Sequence, residues 1–290
     1  MPYSTGWGVR FARRPVERAA HSLPGYTQRM KESSKAHWEA FWADADDLSL
    51  DDVYDNGGRI LREIFAVCDP VGKRILEVGA GTGRDSVALA KSGADVITLD
   101  YSPRSLELIR QASNSAGVDV GMVGGDGLRL PFADNTIDVV FHQGLLEHFR
   151  DPMIMLREHQ RVLKPGGLLL VDVPQRWHYY TVGKHILMAF DKWFAGWETE
   201  FSVGELEGMI RAADLEPVHA YGDWMVPGLF YRALRKGLLR VGIRLAMYPK
   251  PVPVLGRIDR AWREWFGSKR ASLYTTIVIG VVGRKPLADR

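Results

Sequence analysis

The sequence predicts an α/β fold: a doubly wound, mostly parallel sheet with helices on both faces. Three observations carry that reading. Short apolar runs recur between residues 74 and 174, separated by segments of helical spacing. Most of those runs are nearly continuous in Val, Leu and Ile, as strands covered on both faces are. Gly and Pro-Gly stops punctuate the boundaries.

Each element follows in order. "RILEVG" (74–79) is a buried strand ending in Gly, and "RDSVALAKSG" (84–93) is a helix closed by Gly93. "DVITLD" (95–100) is the second strand. A helix over 102–117 opens with Ser102 as N-cap and Pro103 at its first position, and stops at Gly117. "VDVGMVGGD" (118–126) and "IDVVFHQG" (137–144) are the third and fourth strands. "DPMIMLREHQRVLKPGG" (151–167) is a helix capped by Asp151 and stopped by Pro165-Gly166-Gly167, and "LLLVDVP" (168–174) is the fifth strand. Beyond 174 the regularity breaks. An aromatic segment covers 175–202; a helix follows from 202 with Ser202 and Glu205 in capping-box spacing. Strands are expected at 216–224 and 272–285.

Composition excludes several classes. Hydrophobic residues are 46% and charged residues 25% of 290, so a globular chain is expected rather than a disordered one. Cys68 stands alone, which rules out an intramolecular disulfide and a cysteine-built zinc site. No metal is expected. The N-terminus lacks the apolar stretch of a secretory signal, and "TIVIGVVG" is too short to span a bilayer. A cytoplasmic location is expected, with peripheral contact to the inner membrane face as a variant of it. The net charge of +3 is unevenly spread: residues 225–271 carry +9, residues 1–38 carry +5 and the remainder −11. All nine tryptophans lie outside residues 43–176.

The turn "EVGAGTGRD" raises the question of a nucleotide. A dinucleotide site wants G-x-G-x-x-G, yet here the glycines are Gly79, Gly81 and Gly83, and Arg84 stands where the third glycine belongs. There is no G-x-x-x-x-G-K-[ST] phosphate loop. Asp100 ends the second strand, where a carboxylate accepts from ribose hydroxyls. Asp126 follows the third strand, where it could accept from an adenine amino group. Ribose and adenine without phosphate describe S-adenosylmethionine.

"EVGAGTG", "VITLDYS", "GDGLRLPFADNTIDVVF" and "LREHQRVLKPGG" together resemble class I S-adenosylmethionine-dependent methyltransferases, nearest the small-molecule branch of quinone-biosynthesis and sugar O-methylating enzymes. The resemblance covers residues 60–174 well and 202–224 loosely. It implies a Rossmann-like sheet of seven strands with an antiparallel last strand, and S-adenosyl-L-methionine as cofactor. It also implies that Glu77, Gly79, Ala80, Gly81 and Gly83 shape the methionine side. Asp100 and Tyr101 would hold the ribose, Asp126 and Gly127 frame the adenine, and Gln143 border the methionine tail.

Methyl transfer asks the protein to place a nucleophile and take its proton. His142, Glu147, His148 and Asp172 follow or end strands four and five and are the candidates. His142 reads as a core histidine. In the sugar O-methylating relatives a His at the Glu147-His148 segment and an Asp ending strand five act near the acceptor, which implies catalytic roles for His148 and Asp172. No (D/N)-P-P-(Y/F) motif follows strand four, which argues against N-methylation of DNA adenine or cytosine, and no Cys sits near a substrate loop, which excludes a cysteine-nucleophile cytosine C5 enzyme.

The expected organisation is an N-terminal arm with cap helices (1–58), a core (59–224 and 272–290), and helical and aromatic cap insertions at 175–202 and 225–271. Within the last, 228–248 reads as a basic amphipathic helix, with Arg232, Lys236, Arg240 and Arg244 on one face and Phe230, Leu234, Leu238, Val241 and Leu245 on another. It could cap the active site, lie on an anionic membrane surface, or bind nucleic acid. The expected activity is methylation of a small or lipid-linked acceptor on oxygen or carbon. The rivals are an RNA methyltransferase and a non-catalytic S-adenosylmethionine-binding protein.

Overall fold

The structure is a computed structural model. It describes residues 38, 39, 42, 58–190, 198–224, 228–246, 257, 261–263, 265–267 and 269–287. Most of the N-terminal arm, Trp193 and Trp197 of the aromatic segment, and parts of 225–271 lie outside the described residues.

Seven strands form one sheet: β1 (Arg74–Val78), β2 (Asp95–Asp100), β3 (Gly121–Gly124), β4 (Ile137–Gln143), β5 (Leu163–Pro174), β6 (Glu216–Asp223) and β7 (Val278–Arg284). Their order is β3-β2-β1-β4-β5-β7-β6. β1 to β5 pair in parallel, and β7 runs antiparallel between β5 and β6. The helices whose bounds are described are α1 (Arg59–Val67), α2 (Arg84–Lys91), α3 (Pro103–Ala116), α4 (Pro152–Val162), α5 (Tyr179–Ala189), α6 (Val203–Ala212) and α7 (Leu229–Arg240).

The strand period of two sorts the core into two layers. Leu76, Val140, Leu169 and Val171 face Met155 and Val162 of α4 and Leu206 and Ile210 of α6. Ile75, Val139, Phe141 and Leu170 face Ile60 and Ile64 of α1, Leu89 of α2 and Ile109 of α3. At ~1.5–3 kcal/mol for each fully buried aliphatic side chain, these two layers are the main favourable term in folding. The chain leaves β1 toward β2 on one side and enters β4 on the other, so a crevice opens at the carboxyl ends of β1 and β4.

Local signals set most boundaries. Ser102 accepts from the Ser105 N–H and Gly117 takes the left-handed conformation that closes α3. Ser202 and Glu205 form the reciprocal capping box of α6. Three boundaries differ from expectation by five residues or more. The helix expected over 151–167 ends at Val162, because Pro165 disfavours helical backbone before it, and β5 starts at Leu163 and bulges before Leu168. The strand expected from 272 starts at Val278. Residues Arg270–Tyr274 form a 3-10 turn instead, and Thr275 and Thr276 donate their hydroxyls back to the carbonyls of Ser272 and Leu273. The helix expected over 228–248 stops at Arg240. Gly242 (φ 84°) donates to Leu239 O and Ile243 to Leu238 O, a Schellman ending that leaves Arg244 and Leu245 outside the helix.

Candidate active site

The crevice holds a cavity of about 710 Å3 at the carboxyl ends of β1, β2, β3 and β4. Every residue expected at the cofactor lines it except Gly83: Glu77, Gly79, Ala80, Gly81, Asp100, Tyr101, Asp126, Gly127 and Gln143. His148 lines it as well, and Asp172 does not.

The turn after β1 is built to bring backbone close. Gly81 has φ 53°, and a Cβ there would lie 2.9 Å from Trp42. Gly83 has φ 62°, and a Cβ there would lie 2.7 Å from Ile109 Cγ1. Both positions exclude a side chain by conformation and by space. Gly83 therefore acts from behind the wall: it caps α2 and lets that helix pack on α3.

Asp100 sits at the end of β2 with its carboxylate turned into this turn. Oδ2 accepts from the Gly81 N–H at 3.0 Å and Oδ1 from the Ser102 N–H at 2.9 Å. Burial pushes its pKa up, and those backbone donors oppose the rise. The Tyr101 N–H and the Ser105 hydroxyl also act on this carboxylate, so its orientation toward the turn is fixed from several sides. Glu77 is buried at the end of β1. Ser86 donates to it at 2.5 Å, while burial and the nearby Asp85 hold its pKa well above the ordinary carboxylate range. Asp126 is exposed at the rim and accepts from the Leu128 N–H at 2.9 Å, an Asx turn that fixes the loop beside the buried Gly127.

Gln143, ending β4, donates to Asp85 at 2.7 Å across the crevice floor. Asp85 and Arg84 belong to the wall, and sequence reasoning overlooked both. A signal existed for Asp85: an acid in the first turn of the helix after a glycine turn. Trp38 and Trp42, also overlooked, close the crevice from the N-terminal segment. Their spacing of four residues would have placed both on one helical face.

The acceptor side is formed by the segment after β4. Residues Leu146–His148 make a 3-10 turn. Leu145, His148 and Phe149 face the cavity. Trp38 meets the His148 ring edge-on, with centroids 5.0 Å apart. Glu147 points the other way and is buried. Burial and the neighbouring Glu198 push its pKa well up, with Lys184 opposing.

The remaining candidates lie elsewhere. Asp172 shares the parity of Leu168 and Leu170, so it faces α1 rather than the crevice. Its Oδ2 accepts from Arg59 Nε at 2.7 Å. Burial raises its pKa to about 6 against the opposing pull of Arg59. His142 has the opposite parity and is fully buried against His159 of α4, ring centroids 5.2 Å apart.

A glycine cradle, an acid ending β2 on the cavity wall and an acid after β3 suit a nucleoside carrying no phosphate. Comparison with known proteins agrees. A family profile described as "Methyltransferase domain" matches residues 76–171. The chain is 30% identical over 166 residues to a ubiquinone biosynthesis O-methyltransferase of Cereibacter sphaeroides, covering 56% of this chain and 67% of that protein. It is 43% identical over 100 residues to a demethylmenaquinone methyltransferase of Corynebacterium kroppenstedtii, 34% of this chain and 41% of that one. An S-adenosylmethionine-dependent methyltransferase from Thermotoga maritima shares the fold, with a TM-score of 0.59 at 20% identity over 86% of this chain and 99% of that one. The chain belongs to the class I S-adenosylmethionine-dependent methyltransferases, and S-adenosyl-L-methionine is its cofactor.

Proposed function

We propose that the chain methylates a hydroxyl oxygen or an acidified carbon of a small or lipid-linked ring acceptor, with His148 as general base. One observation carries the reading. Of the described ionisable side chains on the cavity wall, Glu77, Arg84, Asp85, Asp100, Tyr101 and Asp126 come from the β1–β3 side, and His148 comes from beyond β4. It stands there among Trp38, Leu145 and Phe149, a lining that suits a planar ring. The relatives' names support a quinone-type acceptor: one acts in ubiquinone biosynthesis on oxygen, the other on demethylmenaquinone.

When bound, the cofactor supplies an electrophilic methyl group on sulfur. The chain's own part is placement and proton removal. Placement is worth ~7–11 kcal/mol and a positioned base ~10²–10⁴-fold. His148 takes the acceptor's proton, and Trp38 and Phe149 keep water from the same space. Asp172 has no part in this scheme, because its carboxylate is engaged by Arg59 on the far side of β5.

The test uses purified protein, cofactor and a panel of catechols, hydroquinones and prenylated phenols, with release of S-adenosylhomocysteine as readout. His148→Ala should lower kcat by ~10²–10⁴-fold and leave calorimetric affinity for S-adenosylhomocysteine unchanged. Wild-type turnover by that variant from about pH 6 to about pH 9 would remove His148 as base.

A further inference from the structure

Helix α5 presents its side chains in the reverse of the usual order. Its buried positions are Thr181 and Lys184. Its exposed positions include Val182 (60%), Ile186 (56%), Leu187 and, just past its end, Phe190 (68%). Trp177 and Tyr179 are exposed at its other end. The hydrophobic effect selects the opposite arrangement on a surface that faces water alone. Rolling the helix over is blocked by its buried side, where Lys184 Nζ lies 2.7 Å from Glu198 and 2.6 Å from Glu200. The 198–200 segment in turn packs on the turn that carries His148, through Thr199 N–H to Glu147 O at 2.9 Å.

Helix α7 continues the same surface. Its Arg232 is near enough to Tyr180, in the first turn of α5, for their charges to interact, which puts the first turns of the two helices on the same part of the surface. Among the described residues of α7 none is buried, and the helix contains no acid. Phe230 is 84% and Leu234 44% exposed, beside the exposed cations Lys236 and Arg240.

We infer that α5 and α7 form one docking face for an anionic phospholipid surface, the aliphatic row of α5 entering the acyl boundary and the cations of α7 meeting lipid phosphates. Charge complementarity selects this occupant. Helix α7 itself holds Arg232, Arg235, Lys236 and Arg240 and no acid. A second copy would set that excess against its like, and a neutral apolar partner would leave it unmatched. The exposed Trp177, Tyr179 and Phe190 beside the exposed aliphatic residues of α5 are the side-chain types that an in-plane helix buries at the headgroup and acyl boundary. No described helix is long and apolar enough to cross a membrane, so the contact lies in the plane of the surface. The inference stands on this surface and needs neither the acceptor nor His148, although a lipid-linked acceptor would be met in the same plane.

Flotation of the full chain with vesicles tests it. Binding is expected to phosphatidylcholine vesicles containing phosphatidylglycerol, to be weak on phosphatidylcholine alone, and to decline with salt. The pair I186E/F190E should raise the lipid concentration for half-binding about tenfold or more, and K236E/R240E should do so on the anionic vesicles. Both variants should keep wild-type affinity for S-adenosylhomocysteine, which separates lost docking from a damaged site. Wild-type protein that stays unbound with the anionic vesicles would overturn the inference. So would I186E/F190E floating like wild type, since α5 would then not enter the lipid. A lipid-free dimer dispersed by I186E/F190E, with no vesicle binding, would assign the face to a second copy instead.

Discussion

Beneath α5 and beneath α4 the protein buries ionisable side chains in opposite states. Under α5, Lys184 stays charged. Burial alone would lower its pKa, but Glu198 and Glu200 together raise it. Under α4, His142 and His159 stay neutral. Neither has a hydrogen-bond partner on either ring nitrogen among the described residues, and burial pushes His142 down to about 3 and His159 well below its usual range. The contrast shows two ways to keep a polar side chain from water: surround its charge, or remove it. The first fixes orientation, because the partners must be met; the second fixes nothing and relies on packing.

The paired region should be the more fragile to mutation. Lys184→Met leaves Glu198 and Glu200 buried without their shared cation and should cost ~3–5 kcal/mol, read as a lowered urea midpoint. Adding Glu198→Gln and Glu200→Gln should return much of that loss. A single variant as stable as wild type would show that the ion cluster does not hold α5 in place.

The same contrast separates two aspartates that both lie near the carboxyl ends of strands. Asp100 is held by backbone N–H groups on the cavity wall, Asp172 by Arg59 away from it. Asp100→Ala should weaken S-adenosylhomocysteine by ~1.5–3 kcal/mol, about tenfold or more by calorimetry. Asp172→Asn should leave that affinity intact and lower thermal stability. Equal losses of affinity in both would erase the distinction drawn between them.

The sequence made the sheet and the cofactor wall legible for physical reasons. Buried parallel strands are apolar throughout, glycines at positive φ admit few substitutes, and caps such as Ser102 and Ser202 act within four residues. What it concealed depended on contacts distant in sequence. Asp172 and His148 looked alike as candidates near strand ends, and only strand parity, together with Arg59 113 residues away, separates them. Helix α5 hides its orientation for the same reason. Residues 175–202 read as an aromatic segment outside the regular pattern, yet Tyr179–Ala189 form a helix, and the partners that turn Lys184 inward lie in a segment of no regular structure at 198–200. Trp38 and Trp42 had a helical spacing, but nothing in it named the crevice they cover.

The neutral region should reveal itself through pH rather than through loss at neutrality. In the unfolded chain a histidine titrates near ~6.5, whereas folded His142 does so at about 3. A depressed folded pKa means that the unfolded state takes up the proton first as pH falls. The stability at stake is complete above ~6.5 and is lost progressively below it, reaching about 2 kcal/mol from His142 by pH 5. His159, lowered in the same direction by burial and by His142, adds to the effect. His142→Leu should therefore be near neutral at pH 7.5, since it replaces an unpartnered ring by an apolar side chain, and should flatten the decline between pH 7 and pH 5 in urea titrations. Carboxylates paired in the fold, such as Asp138 with Lys164, keep their own acid dependence in both proteins and cancel in the comparison. Identical slopes for wild type and variant would mean that the folded protein opens to hydrate His142 before it unfolds, and the layer between β4 and α4 would then be less dry than its packing indicates.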